Sequence, residues 1–265
     1  MMHSPARRRF LSIAPAALPL AAGYSKGLSA DGPPAVTSLY PTQPPELVQE
    51  MVLVAHSNAA RVKELVGRQA TLAKATWDWG FGDWETALGA ASHVGNPEIA
   101  ELLLANGAHP TIFSAAMLGH LDVVKSFIAA SPGIQRTRGP HSISLLSHAL
   151  AGGPTAHPVV EYLKTIGGAD EKLPVQPLTD ADIAKLTGIY TFGVTPADRI
   201  DISASKNQLQ FARPGHFGRG MFHLGAYEFC PMGAENVRVR FVDAAGTVIV
   251  TVHDPDIVLT ARKAA

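Results

Sequence analysis

TALGAASHVGNPEIAELLLANGA, Thr86 to Ala108, reads as two short helices and the turns that bound them. The Thr86 hydroxyl is placed to cap a helix N-terminus. Leu88, Ala90 and Ala91 then face one side of a short helix, and Gly95 supplies a left-handed turn. A second helix follows, with Ile99, Ala100, Leu103 and Leu104 at spacings that share a face. Gly107 ends it.

The same plan recurs on both sides. Ile112, Ala115, Ala116, Gly119, His120, Val123, Val124, Phe127 and Ile128 form the next copy. Leu146, Ala149, Gly153, Val159, Val160, Leu163 and Gly167 form another. A weaker one precedes, through Leu53, Val54, Ser57, Asn58, Val62, Leu65 and Val66. Equivalent positions of the second helices are Val62, Ala100, Val124 and Val160, at spacings of 38, 24 and 36 residues. An unrelated helical bundle is the alternative.

The motifs TALGAASHVG, AAMLGHLDVV and ANGA resemble the ankyrin repeat, a unit of about 33 residues. The resemblance covers residues 46–170. Ala87 and Gly89 depart from the proline and histidine usual at the helix start, and Trp84 stands where a glycine is usual. The first and last copies are degenerate, as capping repeats are. The resemblance implies recognition of another protein through loops and inner helices, and only rarely catalysis.

The unequal spacings predict where loops project. A 24-residue unit has room for two helices and no finger. The 38-residue spacing holds an enlarged loop, WDWGFGDW (77–84), which contains all 3 tryptophans of the chain. The 36-residue spacing holds a second, SPGIQRTRGPH (131–141). Equivalent loops of a stacked array emerge on one side. The two should therefore wall a notch over the fingerless unit. Trp77, Trp79, Phe81 and Trp84 are the expected aromatic contacts, Asp78 and Asp83 the polar ones, and Arg136, Arg138 and His141 the cationic wall. The rival explanation is burial, with one or two of the tryptophans packed inward.

Residues 171–178 read as a linker, and 179–265 as a β-domain. A short helix is expected over Asp180–Leu186. Eight short runs with period-two alternation follow, from Gly188-Tyr190-Phe192 to Val258–Arg262, divided by turns such as Lys206-Asn207 and Ala244-Ala245-Gly246. They predict a meandering antiparallel sheet or small barrel. LTGIY, QLQF and RVRFVDAAGTVIVTV resemble the small lipocalin-like β-domains appended to some bacterial serine hydrolases. The resemblance implies a fold and no activity. The fold class is thus α+β multidomain, a helical repeat array followed by a small antiparallel β-sheet or barrel.

Residues 1–30 look like an export signal. Arg7-Arg8-Arg9-Phe10-Leu11-Ser12 is a cationic start, followed by the apolar run Ile13–Gly23, too short and too proline-broken to span a membrane. The order resembles a twin-arginine signal, with departures at Ala6 and Ser12. The expected location is periplasmic or secreted, with a cytoplasmic one as the alternative. Residues 31–45 form a proline-rich tail.

Lys+Arg and Asp+Glu both number 22, so no global charge favours nucleic acid or an anionic membrane surface. The single cysteine, Cys230, excludes an intrachain disulfide. Ser203-Ala204-Ser205-Lys206 spells S-x-x-K outside its helical context. The 11 histidines are scattered, with no carboxylate at ligand spacing, so neither a metal nor a cofactor is expected. The leading function is a non-catalytic module that binds another protein. The alternative is small-molecule binding or a hydrolase- or isomerase-type enzyme with a pocket in or beside the β-domain, using Arg213, His216, His223 and Glu228.

Overall fold

The computed structural model describes residues 39–264, and residues from Thr42 onward form one unit. The expected signal (1–30) and the tail up to residue 38 lie outside the described residues.

Eight helices stack as four antiparallel pairs: α1 (Pro45–Val54) with α2 (Ala59–Arg68), α3 (Ala87–His93) with α4 (Pro97–Ala105), α5 (Ile112–Met117) with α6 (Leu121–Ala130), and α7 (Leu145–Ala151) with α8 (His157–Ile166). The inner helices α1, α3, α5 and α7 pack in succession. Side-chain oxygens begin several of them. Thr86 accepts from the Gly89 N–H at 2.9 Å, and Thr111 and Ser114 form a reciprocal capping box. Met51, Leu65, Leu88, Ile99 and Leu103 fill the core of the first two pairs, and Ile112, Val124, Leu145, Val160 and Leu163 that of the last two. Between α4 and α5 there is no strand. The enlarged loop before α3 is a two-stranded finger, β1 (Thr76–Asp78) paired with β2 (Trp84–Thr86).

The chain then forms α9 (Asp180–Leu186) and eight strands: β3 (Gly188–Thr191), β4 (Arg199–Ser205), β5 (Gln208–Ala212), β6 (Arg219–Gly225), β7 (Glu228–Pro231), β8 (Arg238–Ala244), β9 (Thr247–Asp254) and β10 (Ile257–Lys263). They close an antiparallel barrel in chain order, with β10 returning to β3. Alternate residues point inward: Ile200 and Ile202, Leu209 and Phe211, Val239 and Phe241, and Val248, Val250 and Val252 are all buried. Tyr190, Phe229 and Phe241 fill the interior edge to face.

Antiparallel order puts the β3–β4, β5–β6, β7–β8 and β9–β10 connections at one end of the barrel. The opposite end is stoppered by α9. Leu186 is fully buried there, its carbonyl accepts from the Tyr190 hydroxyl at 2.7 Å, and Tyr227 donates to Asp182. The first end meets the finger.

Two glycines separate fold from propensity. Gly95 has φ +73°, and an added Cβ would lie 2.1 Å from the Ala151 carbonyl oxygen. Gly67, in α2, has nothing within 4 Å of that position. Gly95→Ala is expected to lower stability by about 2 kcal/mol or more, from backbone strain and the clash. Gly67→Ala should be neutral or raise it by up to about 1 kcal/mol. Urea unfolding of the two variants checks the opposite signs.

Candidate functional site

The site grows from the finger. Asp78 Oδ1 accepts from the Gly80 N–H at 2.8 Å, and the Trp79 N–H donates to the Asp83 carbonyl at 3.1 Å, so the tip is a closed turn. Alternation along β2 sends Trp84 into solvent, where it is 62% exposed, and Glu85 inward, where it is fully buried. Trp77 and Trp79 pack against the core of the helical array. Phe81, at the tip, packs instead on the barrel interior, with its ring 5.1 Å from that of Phe211.

Asp83 is 3% exposed and sits where three parts of the chain meet. Oδ1 accepts from the His141 backbone N–H at 2.9 Å, and Oδ2 from His141 Nδ1 at 2.6 Å. Arg219 of β6 donates to the same Oδ2 and also to the Met232 carbonyl, at 2.8 Å. Beside it the Gly233 N–H donates to Ser142 Oγ at 2.8 Å. His141 and Ser142 hold successive left-handed conformations, φ +59° and +60°. These hydrogen bonds offset the cost of that geometry. The two loops expected to wall a notch thus meet over the fingerless unit, and the barrel is seated on them. Asp83 and His141 are engaged within the chain. Arg136 pairs with Glu171 of the linker, and Arg138 donates to the Glu171 carbonyl at 3.0 Å and lies 3.6 Å from Glu235.

Below Asp83, histidines gather around Glu85. His93 Nε2 is 2.9 Å and His141 Nε2 3.4 Å from Oε1, and His56 Nε2 is 3.7 Å from Oε2. Trp79 Nε1 donates to Oε2 at 2.8 Å. His148 is buried behind them, its ring centroid 6.3 Å from that of His93. The expectation of scattered histidines fails here. Local spacing hides the cluster, because its members come from the turn after α1, β2, α3, the loop before α7, and α7.

Burial sets the electrostatics. It disfavours the charged form of Asp83, but the His141 ring and backbone and the Arg219 guanidinium outweigh it and hold the carboxyl below its ordinary value. Burial likewise opposes ionisation of Glu85, and hydrogen bonds from His141 and His93 bring it down to about 2. Burial opposes protonation of His141 as well, but Asp83 and Glu85 raise it to about 9. Burial, and next His93, lower His148 to about 3, which keeps it neutral.

Beside the finger tip lies a cleft of about 290 Å³. Its walls are Trp79, Phe81, Phe211, Phe217, Val252 and Leu259, and its polar edge is Arg213, His216, Arg219 and Asp254. Trp79 and Phe217 meet edge to face at 5.6 Å. Of the four side chains considered for chemistry, Arg213 and His216 line this cleft. His223 stacks on Phe229, and Glu228 pairs with Arg238 and Arg240, so neither joins them.

Residues 83–114 match the ankyrin repeat family model. The match runs from Asp83 through α3 and α4 into α5, so the buried acid of the joint belongs to the matched unit. No curated protein sequence matches the chain. Ankyrin repeats commonly mediate protein binding, and here the array is followed by a closed eight-stranded barrel. No helix among the described residues is long and apolar enough to cross a membrane.

Arg219→Met removes the barrel's cation and leaves Asp83 to His141 alone. Loss of one member of a buried pair is expected to cost about 3 kcal/mol. Thermal unfolding should show the loss, and limited proteolysis should show faster cutting within residues 171–178. Unchanged stability and cutting would mean that the pair does not hold the joint.

Proposed function

We propose that the protein is an exported, non-catalytic binding module that takes another protein at the finger end of its barrel. The observation that carries this reading is the apolar cleft with an exposed apolar rim. Phe217 is 56%, Ile257 61% and Val258 67% exposed, and Phe217 and Ile257 line the cleft itself. Apolar surface gathered at a concave mouth is costly in water and marks an interaction surface. Trp79 and Phe81 supply the inner walls for an apolar anchor, Arg213 supplies charge at the edge and His216 a polar ring beside it. Asp83 and His141 hold these walls in place from beneath. Binding is preferred to catalysis because the four side chains considered for chemistry do not converge. A second reading, a small apolar anion, is favoured by the cleft's volume and its flanking cations.

A photo-crosslinking residue at Phe217 should give a discrete adduct with an envelope protein, and Ile257→Asp should abolish it. The same probe at Val242, an exposed residue of β8, should give none. Equal adducts from both positions would defeat the protein-binding reading. Saturable quenching of tryptophan fluorescence by small aromatic carboxylates, without an adduct, would favour the second.

Export rests on the cationic start and the apolar run after it. The double variant Arg7→Lys, Arg8→Lys is expected to hold the full-length precursor in the cytoplasm. Cell fractionation with N-terminal mass analysis checks this, and a processed envelope form in the variant would reject a twin-arginine route.

A further inference from the structure

The cluster below Asp83 has the geometry of a metal site. His56, Glu85, His93 and His141 each offer one ligand atom, and these atoms all lie within 4.8 Å of one another. Three of the separations are 2.9 Å (His93 Nε2 to Glu85 Oε1), 3.1 Å (His56 Nε2 to His93 Nε2) and 3.4 Å (His141 Nε2 to Glu85 Oε1). Four ligands about 2.0–2.1 Å from a tetrahedral zinc stand about 3.3 Å apart. The side chains need only small adjustments to meet that spacing.

The outer shell points the same way. His56 Nδ1 donates to the Val52 and Leu53 carbonyls at 3.0 and 3.1 Å, which leaves the Nε2 lone pair facing the cluster. His141 Nδ1 is held by the Asp83 carboxylate at 2.6 Å, so its Nε2 is also turned inward. Metal-bound imidazoles are oriented in this manner, through a carbonyl or carboxylate on the far nitrogen. Glu85 supplies an independent sign. Its side chain is fully buried, Trp79 donates to Oε2, and Oε1 faces the Nε2 atoms of His93 and His141 at 2.9 and 3.4 Å. A buried carboxylate among three imidazoles calls for positive charge, and a bound cation can supply it in place of a proton on His141. The facing Nε2 atoms of His56 and His93 likewise need either a proton between them or an ion beside both.

We propose that His56, Glu85, His93 and His141 bind one divalent transition-metal ion, with zinc the best match to the donor set. Three imidazoles and one carboxylate suit zinc, cobalt and nickel, and exclude the hard cations that require oxygen cages. The protein supplies all four ligands, which is the pattern of a structural site. The entry path is the surface groove lined by His56, Trp79, His141 and Phe217. The ion would join the first two helix pairs, the finger and the loop before α7. Through His141 it would brace Asp83, the acid that the barrel grips.

The chelator-dialysed protein is titrated with zinc sulfate by calorimetry and then loaded with cobalt chloride for visible spectroscopy. One zinc per chain, the intense d–d bands of tetrahedral cobalt and a raised unfolding temperature are expected. His56→Ala changes the most solvent-accessible ligand and should weaken binding at least tenfold while circular dichroism stays unchanged. Glu85→Gln should abolish the tetrahedral cobalt spectrum. The control variant His157→Ala, at the exposed start of α8, should bind as the parent does. Absence of stoichiometric zinc binding by the folded parent overturns the proposal. So does equal affinity in parent and His56→Ala, which would place the ion elsewhere.

Discussion

Asp83 keeps a negative charge where almost no water reaches it, and the protein is arranged around satisfying that charge. The isolated carboxylate would be strongly disfavoured in such a place. Its three contacts come from two regions far apart in sequence: the ring and backbone of His141 and the guanidinium of Arg219. His141 reaches Asp83 only if two successive residues adopt left-handed geometry, and Arg219 reaches it only if the barrel is seated. The ion pair therefore adds little free energy in water's terms but fixes one docking geometry, because any other withdraws the Arg219 guanidinium from a buried acid.

The barrel's own chemistry makes this docking consequential. A closed barrel removes sheet edges but leaves two open ends over an apolar interior. The helix α9 stoppers one end with Leu186. The other end receives Phe81 from the finger, and Phe81 packs on the barrel cluster through Phe211. The finger is long because it has to span from the helical array to that end. Its turn glycines and the ion pair at its tip place one aromatic ring, and the remaining width of the barrel mouth is the cleft.

The repeats and strands were legible because both are local. A face recurring every three or four residues names a helix. A face recurring every second residue names a strand, and the eight runs so found became β3 to β10. The unequal spacings of Val62, Ala100, Val124 and Val160 also located the finger and the fingerless unit correctly, since a stacked array converts length directly into protrusion. The assembly of the site was not legible. Trp79 and Phe81 belong to one short loop, yet one packs on the array and the other on the barrel. His56 and His141 stand 85 positions apart and share a carboxylate. No periodicity records which side chains a later domain will cover. The finger, read alone, appears as a surface whichever way its residues finally face.

β2 shows why composition misleads at such a place. Its three residues alternate, so Trp84 faces solvent and Glu85 the interior, the reverse of what their polarities favour. An inversion of this kind is unstable unless something compensates it on both faces. Inside, three imidazoles and the Trp79 indole surround the carboxylate. Outside, no comparable compensation meets Trp84. The strand could be shifted by one residue to bury the tryptophan and expose the acid, but the slip would break the pairing of Trp77 with Glu85 and withdraw Asp83 from Arg219. The charged interior of the joint thus sets the register of the finger, and the exposed tryptophan is its consequence.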